Sequence, residues 1–204
     1  DIFTAFGVDF INLKRKQIEE ALREIGICPI IVPFISPKLK NRSQLSKKFF
    51  VENKVRVRSP FHLASNIYSP LPMTHRVYGC YSEKYLEIIA KLFSKLDFKR
   101  TLTFYAEIGM PEISNVGKTV IVEQNGNYIK KYFVNASDLG VKEANLNEIK
   151  TGGRNQNIKD FINILKGNEN GAKTDLVLIN AGASLYSLED TKTIKDGVLK
   201  ARDI

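Results

Sequence analysis

The chain has 204 residues, 43% hydrophobic and 26% charged, with 31 Lys and Arg against 22 Asp and Glu. That composition excludes a disordered or collagenous chain, and the formal charge of +9 makes it basic. No stretch approaches the roughly 18 uncharged apolar residues of a membrane span, and two cysteines, Cys28 and Cys80, are too few for a disulfide framework. A reduced, cytoplasmic setting is the expectation.

The chain opens at Asp1 and runs at once into Ile2, Phe3, Phe6 and Val8, with no basic segment ahead of an apolar one, so it does not read as a signal peptide. It reads as an excerpt of a longer protein. Ile18, Ala21, Leu22 and Ile25 fall at helical spacing over 14–25, and Gly26 follows as a C-terminal cap. The run Ile27, Ile30, Ile31, Val32 and Phe34 predicts a strand covered on both faces. A second strand is expected at 77–81. Ser82 caps a helix over 83–97 with an apolar stripe of Leu86, Ile89, Phe93 and Leu96, and a third strand follows at 101–105. Strand, helix, strand in this order predicts a βαβ unit in a mainly parallel sheet.

The pattern then changes. Segments 119–123 and 128–134 flank Asn125-Gly126, a strong hairpin signal. Three helices close the chain, over 156–166 (ended by Gly167), 172–187 and 191–203. The middle one is apolar all round and rich in small residues, as a helix buried at close approach to its neighbours should be.

Charge is concentrated. Lys38, Lys40, Arg42, Lys47, Lys48, Lys54, Arg56 and Arg58 face only Glu52 within 38–58, which supplies seven of the nine net positive charges. Such a window attracts a phosphorylated small molecule or a nucleic-acid backbone, or is simply a solvated face. Phe49, Phe50 and Phe61 could stack on bases or form the apolar side of the helix that bears the lysines.

His62 and His75 lack companions at zinc-ligand spacing, and no nucleophile elbow, Walker loop or dinucleotide fingerprint is present. Thr151-Gly152-Gly153 precedes a polar helix start without following a buried strand, so it reads as a connector. Glu107 and Glu112 bracket Gly109 and Pro111 just past the third strand. Ligands gather at the carboxyl ends of parallel strands, where one carboxylate can hold Mg²⁺ together with substrate phosphates. A turn glutamate facing water is the competing reading.

In this order the pieces resemble the C-terminal α/β domain of the anthranilate phosphoribosyltransferase family, within the phosphoribosyltransferase and nucleoside phosphorylase superfamily. Glu107-Ile108-Gly109-Met110-Pro111-Glu112-Ile113-Ser114 is similar to the family stretch ending Asp-Glu-Val/Ile-Ser. Ile179-Asn180-Ala181-Gly182-Ala183-Ser184-Leu185-Tyr186 looks like its Leu-Asn-Ala-Ala/Gly-Ala-Ala-Leu-Tyr helix. Thr193-Ile194-Lys195-Asp196-Gly197-Val198 follows as the family's Ser-Leu-x-x-Gly-Val does. Tyr132–Leu139 with Gly140, and Asp1-Ile2-Phe3-Thr4-Ala5-Phe6-Gly7-Val8, match two further stretches, so the likeness spans the chain.

The resemblance implies an α/β fold, a mixed, mainly parallel central sheet flanked by helices with an antiparallel hairpin. It implies one domain over 1–204, truncated at both ends, with a helical N-terminal domain and a glycine-rich pyrophosphate loop lying upstream. The implied activity is transfer of phosphoribose from phosphoribosyl pyrophosphate to anthranilate in tryptophan biosynthesis, with Mg²⁺. The excerpt alone should be inactive. Family members commonly form dimers through the helical domain. Only Glu112 survives of the family's Asp-Glu metal pair, because Pro111 replaces the Asp. The family's His-Pro beside anthranilate corresponds to Ser36-Pro37, and its anchoring Arg falls near Ser46, with Arg42, Lys47 or Lys48 as substitutes that contact substrate. The family's Gly-Pro-Leu-x-Asn-Pro becomes Ser65-Asn66-Ile67-Tyr68-Ser69-Pro70. These departures lie in the acceptor and metal sites. They leave two rivals open: a retired paralogue that binds nucleic acid through the basic face beside Val57-Arg58-Ser59-Pro60-Phe61-His62-Leu63-Ala64, and a nucleoside phosphorylase.

Overall fold

A computed structural model describes residues 2–9, 12–30, 37–54, 67 and 71–204. The chain forms two compact units, 1–72 and 73–204.

The first unit contains helices α1 (Ile2–Ala5), α2 (Arg15–Glu24) and α3 (Pro37–Asn53). At the start of α2 the Lys14 amide donates to Gln17 Oε1 at 2.9 Å, satisfying one of the donors a helix start leaves open. Ile18 is its buried anchor. Gly26 ends it with φ +82°, its amide donating to the Ala21 carbonyl, as a left-handed cap should. The strand expected from Ile27 is absent over Ile27–Ile30, and its remainder, 31–34, lies outside the described residues. Prolines at 29 and 33 each remove a ladder donor, which weighs against the apolar pattern that suggested it.

The second unit holds the sheet, in the order β1 (His75–Gly79), β2 (Arg100–Ala106), β3 (Thr119–Asn125), β4 (Tyr128–Val134). β1 and β2 run parallel, joined through α4 (Leu86–Lys95), so the βαβ unit is present. The other two pairings are antiparallel. The sheet is therefore mixed as expected, but among the described strands one pairing in three is parallel.

Three layers follow from the strand alternation. On β2, Leu102 and Phe104 point into a core built with Ile113, Ile121 and Val134, and with Ile179 and Ala183 of α7 (Ala172–Ser187) and Ile194 and Val198 of α8 (Ile194–Arg202). Thr103 points the other way, its hydroxyl donating to the Leu86 carbonyl of α4 at 3.3 Å. That helix buries Leu86, Ile89, Ala90 and Phe93. Phe93 meets Phe98 with ring centroids 4.9 Å apart. The single-turn α5 (Leu146–Ile149) and the twelve-residue α6 (Arg154–Leu165) lie between β4 and α7 in the chain.

The hairpin forms one residue later than the Asn-Gly signal predicts. Asn125 pairs with Tyr128, so Gly126 and Asn127 make the loop, and Gly126 takes the positive φ of 54°. Helix α7 spans the expected residues but is not buried all round, since Val177 is 46% exposed. Its small residues serve one side. A Cβ on Gly197 would lie 2.3 Å from the Gly182 carbonyl oxygen, so α7 and α8 cross where neither has a side chain.

Candidate functional site

The segment 107–118, between β2 and β3, lies at the carboxyl end of the parallel strands, where α/β sheets bind ligands. It is folded back and fastened along its length. The Ala106 amide donates to the Met110 carbonyl and the Gly109 amide to the Ala106 carbonyl, both at 2.9 Å, with Gly109 at φ +88°. This tight return brings Pro111 over the end of β1. A Cβ on Gly79 would lie 1.6 Å from the Pro111 carbonyl oxygen, so the loop can sit there only against glycine.

Helix α7 holds the next residues. The Ile113 amide donates to Asn180 Oδ1 at 3.1 Å, and Asn180 Nδ2 donates to the Ile113 carbonyl at 2.9 Å. Nδ2 also donates to the Leu176 carbonyl at 2.9 Å, which fixes the amide's orientation. The Ser114 amide donates to Thr119 Oγ1 and the Ser114 hydroxyl accepts from the Val116 amide. Asn115 Nδ2 donates to the Ala172 carbonyl at 2.8 Å. Asn115 Oδ1 is the buried side-chain acceptor that has no partner among the described residues. The two motifs noted separately in the sequence, Glu112-Ile113-Ser114 and Asn180-Ala181-Gly182, thus form one assembly.

Glu112 projects from this assembly, exposed at the rim. Neighbouring protein partly displaces water from its carboxyl, which raises its pKa above the usual glutamate value. No cation of the described residues pairs with it. Glu107, the other carboxylate singled out, is already engaged. Its Oε1 accepts from the Lys118 amide at 2.9 Å and lies where a Cβ on Gly117 would fall. It closes the loop, which leaves Glu112 as the carboxylate free for a cation.

No group of three or more His, Cys, Asp or Glu capable of holding a metal occurs among the described residues. A self-sufficient protein cage is therefore not what these residues build. A single exposed carboxylate on a fixed loop, with no cation partner among the described residues, fits Mg²⁺ in its other common setting, where substrate phosphates and water complete the octahedron.

The remaining predicted residues lie in the first unit. Ser36 falls outside the described residues. Arg42 lies on α3, as do Lys47 and Lys48, both exposed. Lys48 Nζ is 3.8 Å from Glu52 Oε1, with the two side chains 69% and 55% exposed, a contact of little energetic weight. Leu45 and Phe49 beside them are 61% and 57% exposed. Phe61, His62 and the segment 57–66 lie outside the described residues.

A second polar cluster escaped the sequence reading. Arg100 Nε and NH2 donate to Glu123 Oε1 at 2.9 and 2.6 Å, and the hydroxyls of Tyr132 and Tyr186 donate to the same carboxylate at 3.0–3.2 Å. The guanidinium stacks 3.9 Å from the Tyr186 ring centre. Burial opposes the Arg100 charge, but hydrogen bonding and attraction to Glu123 outweigh it and raise its pKa. Burial first, then Glu123, raises the pKa of both tyrosines and keeps them neutral donors. The signal in the sequence was Glu123-Gln124 at the end of an otherwise apolar strand.

The profile of the glycosyl transferase family, a/b domain, matches residues 1–204. The anthranilate phosphoribosyltransferase of Clostridium beijerinckii is 32% identical over 206 residues, covering 100% of this chain and 58% of its own length. That of Persephonella marina is 28% identical with the same coverage. Among solved structures, anthranilate phosphoribosyltransferase from Thermus thermophilus superposes with a TM-score of 0.86 at 27% identity, over 99% of this chain and 57% of that one. The Saccharomyces cerevisiae enzyme in complex with PRPP and Mg shares the fold at 19% identity, with a TM-score of 0.85 over 99% of this chain and 56% of that one. The chain thus spans less than three fifths of the length of these relatives. With a profile match over residues 1–204, the chain belongs to the glycosyl transferase family, a/b domain.

Proposed function

We propose that the protein to which this chain contributes its α/β part is a phosphoribosyltransferase, moving phosphoribose from phosphoribosyl pyrophosphate to the amine of anthranilate. The observation that carries the reading is the Glu112 loop, clamped by Asn180 at the carboxyl end of the parallel strands. Support comes from the relatives, which bear the name of that activity. The portion of those relatives that this chain does not match would supply a helical lobe and the pyrophosphate-binding loop. A dimer through that lobe and a cytoplasmic setting complete the proposal.

The bond between the anomeric carbon and the pyrophosphate oxygen breaks, and pyrophosphate leaves with the electron pair. The amine nitrogen bonds to that carbon and then sheds a proton to solvent. Mg²⁺, when bound, neutralises charge on the departing pyrophosphate. Glu112 would hold it, and its fixed position spares reorganisation during the reaction. Arg42, Lys47, Lys48 and Ser36 are assigned to the anthranilate and phosphate side. Catalysis is then positioning and electrostatics, with no protein nucleophile.

Full-length protein with Mg²⁺, phosphoribosyl pyrophosphate and anthranilate should consume the fluorescent amine. No consumption at millimolar substrates would overturn anthranilate as the acceptor. The exposure of Lys47, Lys48 and Phe49 on one helix favours a second reading, nucleic-acid binding on a retired scaffold. Its signature is single-stranded DNA affinity that falls log-linearly with salt, and absence of binding at low salt would eliminate it.

A further inference from the structure

We infer that a concavity on the face of the sheet covered by α7 and α8 is a binding site for a small carboxylate with an apolar body. Its volume is about 260 Å³, and none of its lining residues belongs to the Glu112 loop. The space accommodates a molecule the size of benzoate. Val134, Leu139 and Ile194 form apolar walls, and Glu123, Tyr132 and Tyr186 form a polar floor.

The electrostatics select the ligand. Glu123 is neutralised by Arg100 and by two hydroxyl donors, so the floor offers no free charge. Lys130, Lys192 and Lys195 stand at the mouth, and none has a carboxylate within 4.0 Å among the described residues. Asp138 is the one further acid in the lining, and its Oδ2 already accepts from the Asn135 amide at 2.9 Å. Three ammonium groups without a carboxylate partner among the described residues, that of Lys130 lying 5.5 Å from the Tyr132 ring centre, surround an apolar recess, draw in an anion and bury its non-polar part. The acids in the wall disfavour a compact dianion, which would approach Asp138 and gain nothing from Val134, Leu139 and Ile194. A monoanionic carboxylate on a ring or short chain uses both features. Lys192 and Lys195 flank Thr193, the cap of α8, whose hydroxyl accepts from the Asp196 amide. A ligand there would therefore bear on the helix that crosses α7, the helix carrying Asn180.

The test is a methyl-resolved NMR titration of the intact protein with sodium benzoate at constant ionic strength. The resonances of Val134, Leu139 and Ile194, which line this recess, report its occupancy. They are expected to shift and saturate at millimolar benzoate or below. In the Lys192→Ala/Lys195→Ala variant, saturation should require at least about tenfold more benzoate, about 1.4 kcal/mol. Lys91→Ala on α4 should titrate as the unaltered protein does. Inorganic phosphate should saturate the same methyls at least about tenfold less readily. Static methyls, a non-saturating drift, equal affinity in the double variant, or phosphate binding as well as benzoate would each overturn the proposal. All the altered lysines are exposed, and unchanged methyl resonances elsewhere verify folding.

Discussion

Asn180 and Ile113 exchange two hydrogen bonds, the side-chain amide of one spanning both backbone groups of the other, 67 positions apart in sequence. The pair joins α7 to the loop immediately after Glu112. It gives the asparagine of the family-like helix a mechanical role, because a carboxylate on a loop is useful only if the loop stays where it is.

Asn180→Leu strands the amide and carbonyl of Ile113, which is itself 0% exposed. Each buried group left unpaired costs about 1–3 kcal/mol. Urea denaturation should show a lower midpoint with little change in slope. In the proposed transferase reaction of the full-length protein, the Mg²⁺ and phosphoribosyl pyrophosphate requirements should rise more than in a destabilised control such as Val198→Ala.

Gly79→Ala places a methyl group 1.6 Å from the Pro111 carbonyl oxygen. Backbone cannot yield as a flexible side chain does, so the loop must lift. A loss of about 1–3 kcal/mol is expected, as for overpacked sites, together with weaker cation binding at Glu112. Chemical denaturation and a metal titration measure the two effects.

Glu112 titrates above the ordinary glutamate range because desolvation disfavours its charge. The folded state therefore binds this proton more tightly than the unfolded chain does. Stability from this group is present at low pH, falls as pH rises through the unfolded value of about 4.3, and levels off above the folded value. Glu112→Gln should thus raise Tm slightly at pH 7, with the gain vanishing below about pH 4. In the proposed transferase reaction of the full-length protein, Mg²⁺ dependence should steepen as pH falls toward the raised pKa, where protons compete for the carboxylate, and the variant should lack this pH effect.

Arg100 and Glu123 are 13% and 11% exposed in their side chains. Removing one member of so buried a pair costs about 3–5 kcal/mol, because the other charge is left without compensation. Arg100→Leu should approach that loss in thermal denaturation. Arg100→Leu with Glu123→Leu should recover part of it, although Tyr132 and Tyr186 then lose their acceptor.

The helices and the hairpin were legible because their signals are local. Apolar spacing placed α4, an apolar run rich in small residues placed α7, and Gly26 and Gly167 marked two helix ends. The apolar run misled over 27–30, since periodicity alone does not weigh the missing proline amide at 29. Glu112 was visible from its position past a parallel strand, but the different fates of Glu107 and Glu112 were not. Which carboxylate is spent on Lys118 depends on how the loop returns, and that depends on Gly79 and Asn180, far away in the chain. Arg100, Tyr132 and Tyr186 converge on Glu123 from three elements, a meeting no sequence spacing records.

In the proposed reaction Glu112 takes a divalent cation together with the pyrophosphate of the sugar donor. The direct test is Mn²⁺ binding by electron paramagnetic resonance to the full-length protein, with and without phosphoribosyl pyrophosphate. Binding should be weak without the donor and much tighter with it, and Glu112→Gln should weaken the donor-dependent binding by about tenfold or more, the loss of one charged ligand. Mn²⁺ affinity in the presence of donor that is the same in both proteins would contradict it.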